Sequence, residues 1–304
     1  MGAGFDGDAF DLMGSYAVTT ISSFGGSRIL SVDLGTGGVI TSLFPAPEAD
    51  LANPSSASFD VQGNVWVGGR GSDAVYRLNP GDAEAQRIAT NVGTFVERVV
   101  PVGDQLYVVD ANIDDEGGSY QPLGPGRIVV LSPSGGDRRV IDLPPGAFDP
   151  TDAVVAGGSL IVLAAGTFDP VTFLPVNDGS LVAIDLGNGT VRPPVALDAN
   201  GVSLELGGDG FVYVTTTSDY QTLDLLRFDP VAGSFVRGPS DPLLVRGADG
   251  RRVDCWSATA LDDGRVVCAT FSFVEAGRLL LADQGGAFMD EIGSGFGTTD
   301  LATR

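Results

Sequence analysis

One short pattern recurs six times along this chain: an apolar strand that runs into a turn rich in Asp, Pro and Gly. In the first half it reads Ser31-Val32-Asp33-Leu34-Gly35, Tyr76-Arg77-Leu78-Asn79-Pro80-Gly81 and Val129-Val130-Leu131-Ser132-Pro133. It continues as Ala183-Ile184-Asp185-Leu186-Gly187, Leu226-Arg227-Phe228-Asp229-Pro230 and Leu280-Leu281-Ala282-Asp283-Gln284-Gly285. The turn positions 33, 79, 132, 185, 229 and 283 follow one another at 46, 53, 53, 44 and 54 residues. A period of that length means one supersecondary unit, repeated, that buries its apolar faces only against its neighbours.

The flanking sequence recurs as well. Before each landmark stands a β-branched or aromatic run such as Val65-Trp66-Val67, Leu106-Tyr107-Val108-Val109, Leu160-Ile161-Val162-Leu163, Phe211-Val212-Tyr213-Val214 or Val266-Val267-Cys268, each entered through a Gly/Asp turn. Four antiparallel strands per repeat, A to D in chain order, account for the period. The expected fold is therefore all-β: a six-bladed β-propeller in one domain. Its blades are expected near residues 15–44, 54–90, 94–143, 150–198, 201–238 and 254–293. The first blade shows B, C and D strands but no clear A strand. The segment 297–303 resembles the A segment Pro150-Thr151-Asp152-Ala153-Val154-Val155, so the C-terminal strand is expected to join the N-terminal blade and close the ring.

Phe211-Val212-Tyr213-Val214-Thr215-Thr216 and Leu106-Tyr107-Val108-Val109, each followed by a strand ending in a polar turn, resemble the YVTN/NHL-type propeller repeats of bacterial exported proteins. The resemblance spans nearly the whole chain through short, degenerate motifs. It implies a propeller fold and export, and no particular activity.

Charge narrows the partners. The chain has 304 residues and a net charge of −22; every one of its 17 basic residues is Arg, and Asp dominates its acidic ones. Nucleic-acid binding relies on neutralising phosphates with basic patches, so it is excluded, as is an anionic membrane surface. No apolar run is long enough to span a membrane. Met1-Gly2-Ala3-Gly4 is expected to stand where a signal peptide has been removed, which makes the protein periplasmic or extracellular and a monomer by expectation. With no histidine present, a Ser-His-Asp triad and His-based zinc or copper sites cannot form. Propeller enzymes resembling paraoxonases or streptogramin lyases, which lean on histidine, are disfavoured for the same reason.

Candidate sites follow from loop length. The B–C loops at 110–126 and 166–180 and the connection at 239–254 are long, and long loops in compact domains carry function. Asp110, Asn112 and Asp114 alternate and are followed by Glu116, an oxygen set that suits Ca²⁺, although Asp115 stands where an EF-hand loop needs Gly. Glu97, Asp152, Glu205 and Asp300 fall in or near A strands of four blades and would converge at a channel mouth. Six-bladed lactonases of the regucalcin/gluconolactonase type hold calcium in such a place, and the resemblance to them is one of architecture. Tyr120, Phe168, Phe173 and Tyr220 in the B–C loops could rim a site for a protein or small-molecule ligand. Trp66 and Trp256 are expected to fill core between blades.

Cys255 and Cys268 lie on adjacent strands, but the turn at 262–264 places Cys268 opposite residue 258 or 259. A disulfide needs a bulge to close that offset, and two buried thiols are the alternative. Two functions emerge: an exported binding or scaffold propeller that grips its partner with the B–C loop face, and a calcium-dependent hydrolase of lactonase type.

Overall fold

A computed structural model describes residues 6–22, 28–36, 38–43, 54–79, 82, 85–114, 121–169, 171, 172, 174–219, 221–270, 277–293 and 301. Among them are six four-stranded antiparallel sheets, two small hairpins and no α-helix. The chain divides into two compact units, 1–142 with 304, and 143–303.

In the first unit, sheet 1 comprises β1 (Asp6–Met13), β2 (Tyr16–Ser22), β3 (Arg28–Asp33) and β4 (Gly38–Leu43). Sheet 2 comprises β5 (Pro54–Phe59), β6 (Val65–Gly69), β7 (Ala74–Leu78) and β8 (Gln86–Ala89). Sheet 3 begins with β9 (Val96–Val102) and β10 (Gln105–Asp110). A hairpin of β11 (Ile113–Asp114) and β12 (Gln121–Pro122) follows, and β13 (Arg127–Leu131) and β14 (Arg139–Asp142) complete the sheet.

In the second unit, sheet 4 begins with β15 (Pro150–Ala156) and β16 (Ser159–Ala164). A hairpin of β17 (Thr167–Phe168) and β18 (Pro175–Asn177) intervenes before β19 (Ser180–Asp185) and β20 (Val195–Ala196). Sheet 5 is β21 (Asn200–Leu206), β22 (Val212–Thr217), β23 (Leu223–Asp229) and β24 (Ser234–Arg237). Sheet 6 is β25 (Ser257–Ala260), β26 (Val266–Ala269), β27 (Arg278–Ala282) and β28 (Phe288–Gly293). Every four-stranded sheet keeps the order A-B-C-D.

All six landmark residues sit at the turn from third to fourth strand, where each bonds its own loop. The carboxylates of Asp33, Asp185, Asp229 and Asp283 accept the backbone N–H two residues on, and the Ser132 hydroxyl accepts from Gly136. Asn79 is tied to Asp82 through its amide and its backbone. Short polar side chains that mimic a backbone turn explain why the motif recurs as Asp, Asn or Ser.

The second strands explain the packing. β6, β16 and β22 are buried along their whole length, whereas the fourth strands β14 and β28 are mostly exposed. With side chains alternating faces, Val65 and Val67 pack with Val18 and Ile29 of sheet 1, while Trp66 packs with Val99 and Leu106 of sheet 3. In the second unit, Val212 and Val214 face Ile161 and Leu163 of sheet 4, and Tyr213 faces Ala260 and Leu280 of sheet 6. Hydroxyls stitch neighbouring first strands: Ser55 Oγ donates to Val96 O, Val99 N donates to Ser56 Oγ, and Ser203 Oγ donates to Trp256 O.

Two expectations need correction or completion. The place beside β2 expected for Thr298–Thr303 is occupied by β1, so among the described residues sheet 1 is built from the N-terminal segment. The reason is local: Gly14, at φ +61°, allows a two-residue turn between Met13 and Tyr16, and a short hairpin closes at far lower entropic cost than a strand from the far end. Of that C-terminal segment, only Leu301 lies within the described residues. The cysteines form a disulfide with Cα atoms 5.3 Å apart. Cys268 does stand opposite Ala258, but Trp256 N also bonds the carbonyl of Ala269, the partner of Ser257. Two residues thus address one, an irregularity that bends the chain ahead of β25 and lets Cys255 reach Cys268.

Two stability measurements test these features. The disulfide joins residues 13 apart within a buried cluster, so replacing both cysteines with serine is expected to cost about 3 kcal/mol in urea denaturation. Trp66 offers a pH test, because its indole N–H donates to Asp60. Burial alone would raise the Asp60 carboxyl, but hydrogen bonds from Asn64, Trp66 and Gln62 outweigh it and hold it below the ordinary value. A depressed acid stabilises the fold above its unfolded pKa and loses that contribution as pH falls through the folded one. The stability advantage of the wild type over Asp60→Asn should therefore be full near pH 6 and shrink below about pH 4, read by tryptophan fluorescence.

Candidate functional site

The loops joining second to third strands carry most of the candidate residues, and in the first unit they are organised by two buried carboxylates. Asp110 ends β10 and is fully buried. One carboxylate oxygen accepts the backbone N–H groups of Thr94, Phe95 and Asn112, and the other accepts Nε and Nη2 of Arg127 at 3.0 and 2.6 Å. Gly93 is required beside it, since a Cβ there would lie 2.5 Å from the Asp110 carboxyl carbon. Asn112, in the left-handed region at φ +55°, donates its amide to Pro125 O and so ties the two ends of the loop. Asp114 sits in β11, paired with Gln121. Of the proposed calcium loop, Glu116 lies outside the described residues.

Glu97 is the second organiser. A β-bulge in β9 sets it out of the ladder between Val96 and Arg98, and its buried carboxylate pairs with Arg70 at 2.9 and 2.5 Å. The Arg70 guanidinium also lies over the Phe95 ring. These two Arg partners were not foreseen, because pairs separated by 17 and 27 residues leave no local spacing signal.

Asp152 and Glu205 belong to the second unit, and Asp300 lies outside the described residues. Asp152 pairs opposite Leu163 and bonds the N–H of Ala153, while Glu205 pairs opposite Tyr213 and accepts the Ser257 hydroxyl at 3.0 Å. The bulges in β15 and β21 make Ser203, not Glu205, the counterpart of Asp152. Two residues of strand separate these carboxylates in level, about 7 Å. Among the described residues no three acidic or cysteine side chains cluster closely enough to hold a metal ion.

Phe168 is half-buried in β17, and Tyr120, Phe173 and Tyr220 lie outside the described residues. The β17–β18 hairpin contributes a feature that the sequence reading overlooked. Val171, Leu174 and Val176 are 83%, 52% and 61% exposed at and beside its tip. The tip is nevertheless fixed. Asp169 accepts the N–H groups of Val171 and Thr172, its own N–H donates to Leu174 O, and Asn177 donates to the Thr167 hydroxyl. Those bonds from Thr172 and Val171 hold the Asp169 carboxyl below its usual range, so the turn keeps its anchor in mild acid. At the neck, a Cβ on Gly166 would strike Asn177 O, and one on Gly179 would lie 2.7 Å from Ala164 O. The readable signal was Asp169-Pro170-Val171-Thr172, a turn-initiating dipeptide followed by apolar residues in a loop.

No family model matches the chain, and no curated protein matches its sequence. Solved structures do match in fold. Hydrazine synthase of Kuenenia stuttgartiensis aligns over 91% of this chain and 76% of its own with a TM-score of 0.60 and 15% identity. Virginiamycin B lyase from Staphylococcus aureus, in a catalytically inactive His-to-Ala form with quinupristin, covers 92% and 85% at 0.58 and 10%. A chain of the nidogen–laminin complex covers 77% and 79% at 0.53 and 16%. These are β-propeller proteins, and the fold of this chain is of that class.

The Asp110 site yields a direct test. Asp110→Asn leaves Arg127 facing a neutral amide and weakens three backbone hydrogen bonds. It is expected to cost about 3 kcal/mol in urea denaturation, and Arg127→Leu should add little in the double variant.

Proposed function

We propose that this chain is a six-bladed β-propeller that serves as an exported binding or scaffold protein and engages its partner through the loops between second and third strands. The observation that carries the reading is the β17–β18 hairpin, which displays Val171, Leu174 and Val176 on a turn already fixed by Asp169. Ordering costs oppose binding, so apolar side chains presented on a prefixed turn are suited to recognition. A solvated loop with no such role would be expected to bury or omit them.

The carboxylates considered for calcium chemistry favour the same reading. Glu97 is committed to Arg70, Asp110 to Arg127 and three amides, and Glu205 to Ser257. A buried carboxylate already neutralised by Arg is a poor further ligand for a cation. Virginiamycin B lyase loses catalysis when a single histidine is replaced, and this chain contains none. Export is supported by the Cys255–Cys268 disulfide, which persists in oxidising compartments.

Partner capture from the exported fraction of the source organism, with the captured protein purified and titrated by calorimetry, tests the proposal. Val171→Asp/Leu174→Asp should weaken that complex at least about tenfold while leaving the melting temperature unchanged. Lactone hydrolysis that EDTA abolishes and the hairpin variant retains in full would establish the enzyme reading instead.

A further inference from the structure

Asn200, the first residue of β21, is 2% exposed, and the two polar atoms of its side chain are placed unequally. Its Nδ2 donates at 3.2 Å to the carbonyl of Thr167, the first residue of the β17–β18 hairpin. Its Oδ1 is buried and accepts no hydrogen bond among the described residues. A buried acceptor left unmet opposes folding, and an apolar side chain of similar shape would avoid that cost. Fold stability alone therefore disfavours an amide at this position, and the bond to Thr167 is what the amide adds.

The neck of the hairpin gives that bond its purpose. Backbone bonds fasten the two ends of the neck to the segment that leads into β21: Leu197 N donates to Gly179 O, Gly179 N to Ala199 O and Gly201 N to Ala165 O. The chain then enters the hairpin through Gly166, at φ +98°, and leaves it through Gly179. A neck of two glycines has no side chains to brace it, so the tilt of the hairpin depends on contacts beyond the neck. Thr167 lies one residue beyond, and the Asn200 side chain reaches it. Thr167 pairs with Asn177 across the hairpin, and its hydroxyl accepts Asn177 Nδ2 at 2.6 Å, so a tie to one strand holds both. Asn200 is also the cross-strand partner of Thr217, whose hydroxyl donates to Thr222 O at the base of the β22–β23 loop. One residue thus serves two neighbouring loops, with its side chain in sheet 4 and its backbone in sheet 5.

We infer that Asn200 is the positioning residue of the hairpin: through Thr167 it sets the tilt at which Val171, Leu174 and Val176 are presented. Asp169 fixes the shape of the turn, and Asn200 fixes the direction in which the turn points. The inference deepens the binding role proposed for the hairpin and rests on that reading for what the positioning serves.

Amide hydrogen exchange on the full chain, followed by NMR, tests the positioning without any partner. Asn200→Leu keeps a side chain of similar shape and removes both polar atoms. It should speed exchange at the neck amides of Gly166, Gly179 and Gly201 about fivefold, as loss of one hydrogen bond requires, and leave the amides of β22 unchanged. Asn200→Ala, too small to clash, should speed exchange at the same three amides. Titration with the captured partner then separates the two claims. Faster neck exchange together with weaker binding supports both. Faster neck exchange with unaltered affinity keeps Asn200 as the positioning residue and counts against the hairpin as the contact. Neck exchange unchanged in both variants, or raised equally through β22 in both, would overturn the inference.

Discussion

Within each unit, structure depends on the second strand of a sheet being buried on both faces. β6 and β22 expose nothing along their length, and each has a sheet of its own unit on either side. Alternation then does the sorting: in β22, Val212 and Val214 serve one neighbour and Tyr213 the other. A one-residue slip would exchange these sets, placing the Tyr213 ring where small aliphatic volume is needed. The register is held from outside the ladder as well. Tyr213 donates its hydroxyl to Asp209, which also receives Arg227, and Arg227 is the cross-strand partner of Tyr213. Sheet 2 repeats part of it: Trp66 donates to Asp60 and is paired across the strand with Arg77, whose guanidinium lies over the indole ring.

The acidity of the chain is largely a consequence of turn chemistry. Asp33, Asp169, Asp185, Asp219, Asp229 and Asp283 each accept backbone N–H groups two or three residues on. Lys has no such use, and the Arg side chains occupy places where a planar fork matters, as in the two bonds that Arg127 sends to Asp110. Net charge therefore says more about how many loops must be closed than about what the protein binds.

This division explains what was legible in the sequence. The six landmark turns were readable because a turn capped by Asp, Asn or Ser is encoded within about four residues. The second strands were readable because burial on two faces produces a continuous apolar run. β1 was missed because Asp6–Met13 lacks such a run, and what makes it a strand is the turn at Gly14. The pairing of Asp110 with Arg127 and of Glu97 with Arg70 was not readable at all: both rest on backbone bulges and loop returns that bring distant residues together. Asp110 and Asn112 looked like alternating oxygen ligands. One is instead the buried centre of its loop, and the other is its tie.

The departures from the repeat are more informative about function than the repeat itself. Sheet 4 departs twice. At one end the β17–β18 hairpin is inserted between its second and third strands, and the paired glycines 166 and 179 let the neck close where side chains would collide. At the other end Pro193 and Pro194 stop the fourth strand from covering the sheet. The first change exposes apolar surface and does not stabilise the unit, since it adds exposed Val171 and Leu174, whereas Ile161 and Phe228 stay buried despite the second. Surface of that kind lowers solubility and forgoes burial, about 25 cal/mol for each Å² left in water. On the hairpin that surface sits on a turn already fixed by Asp169, which supports the proposed recognition role and is not explained by packing alone.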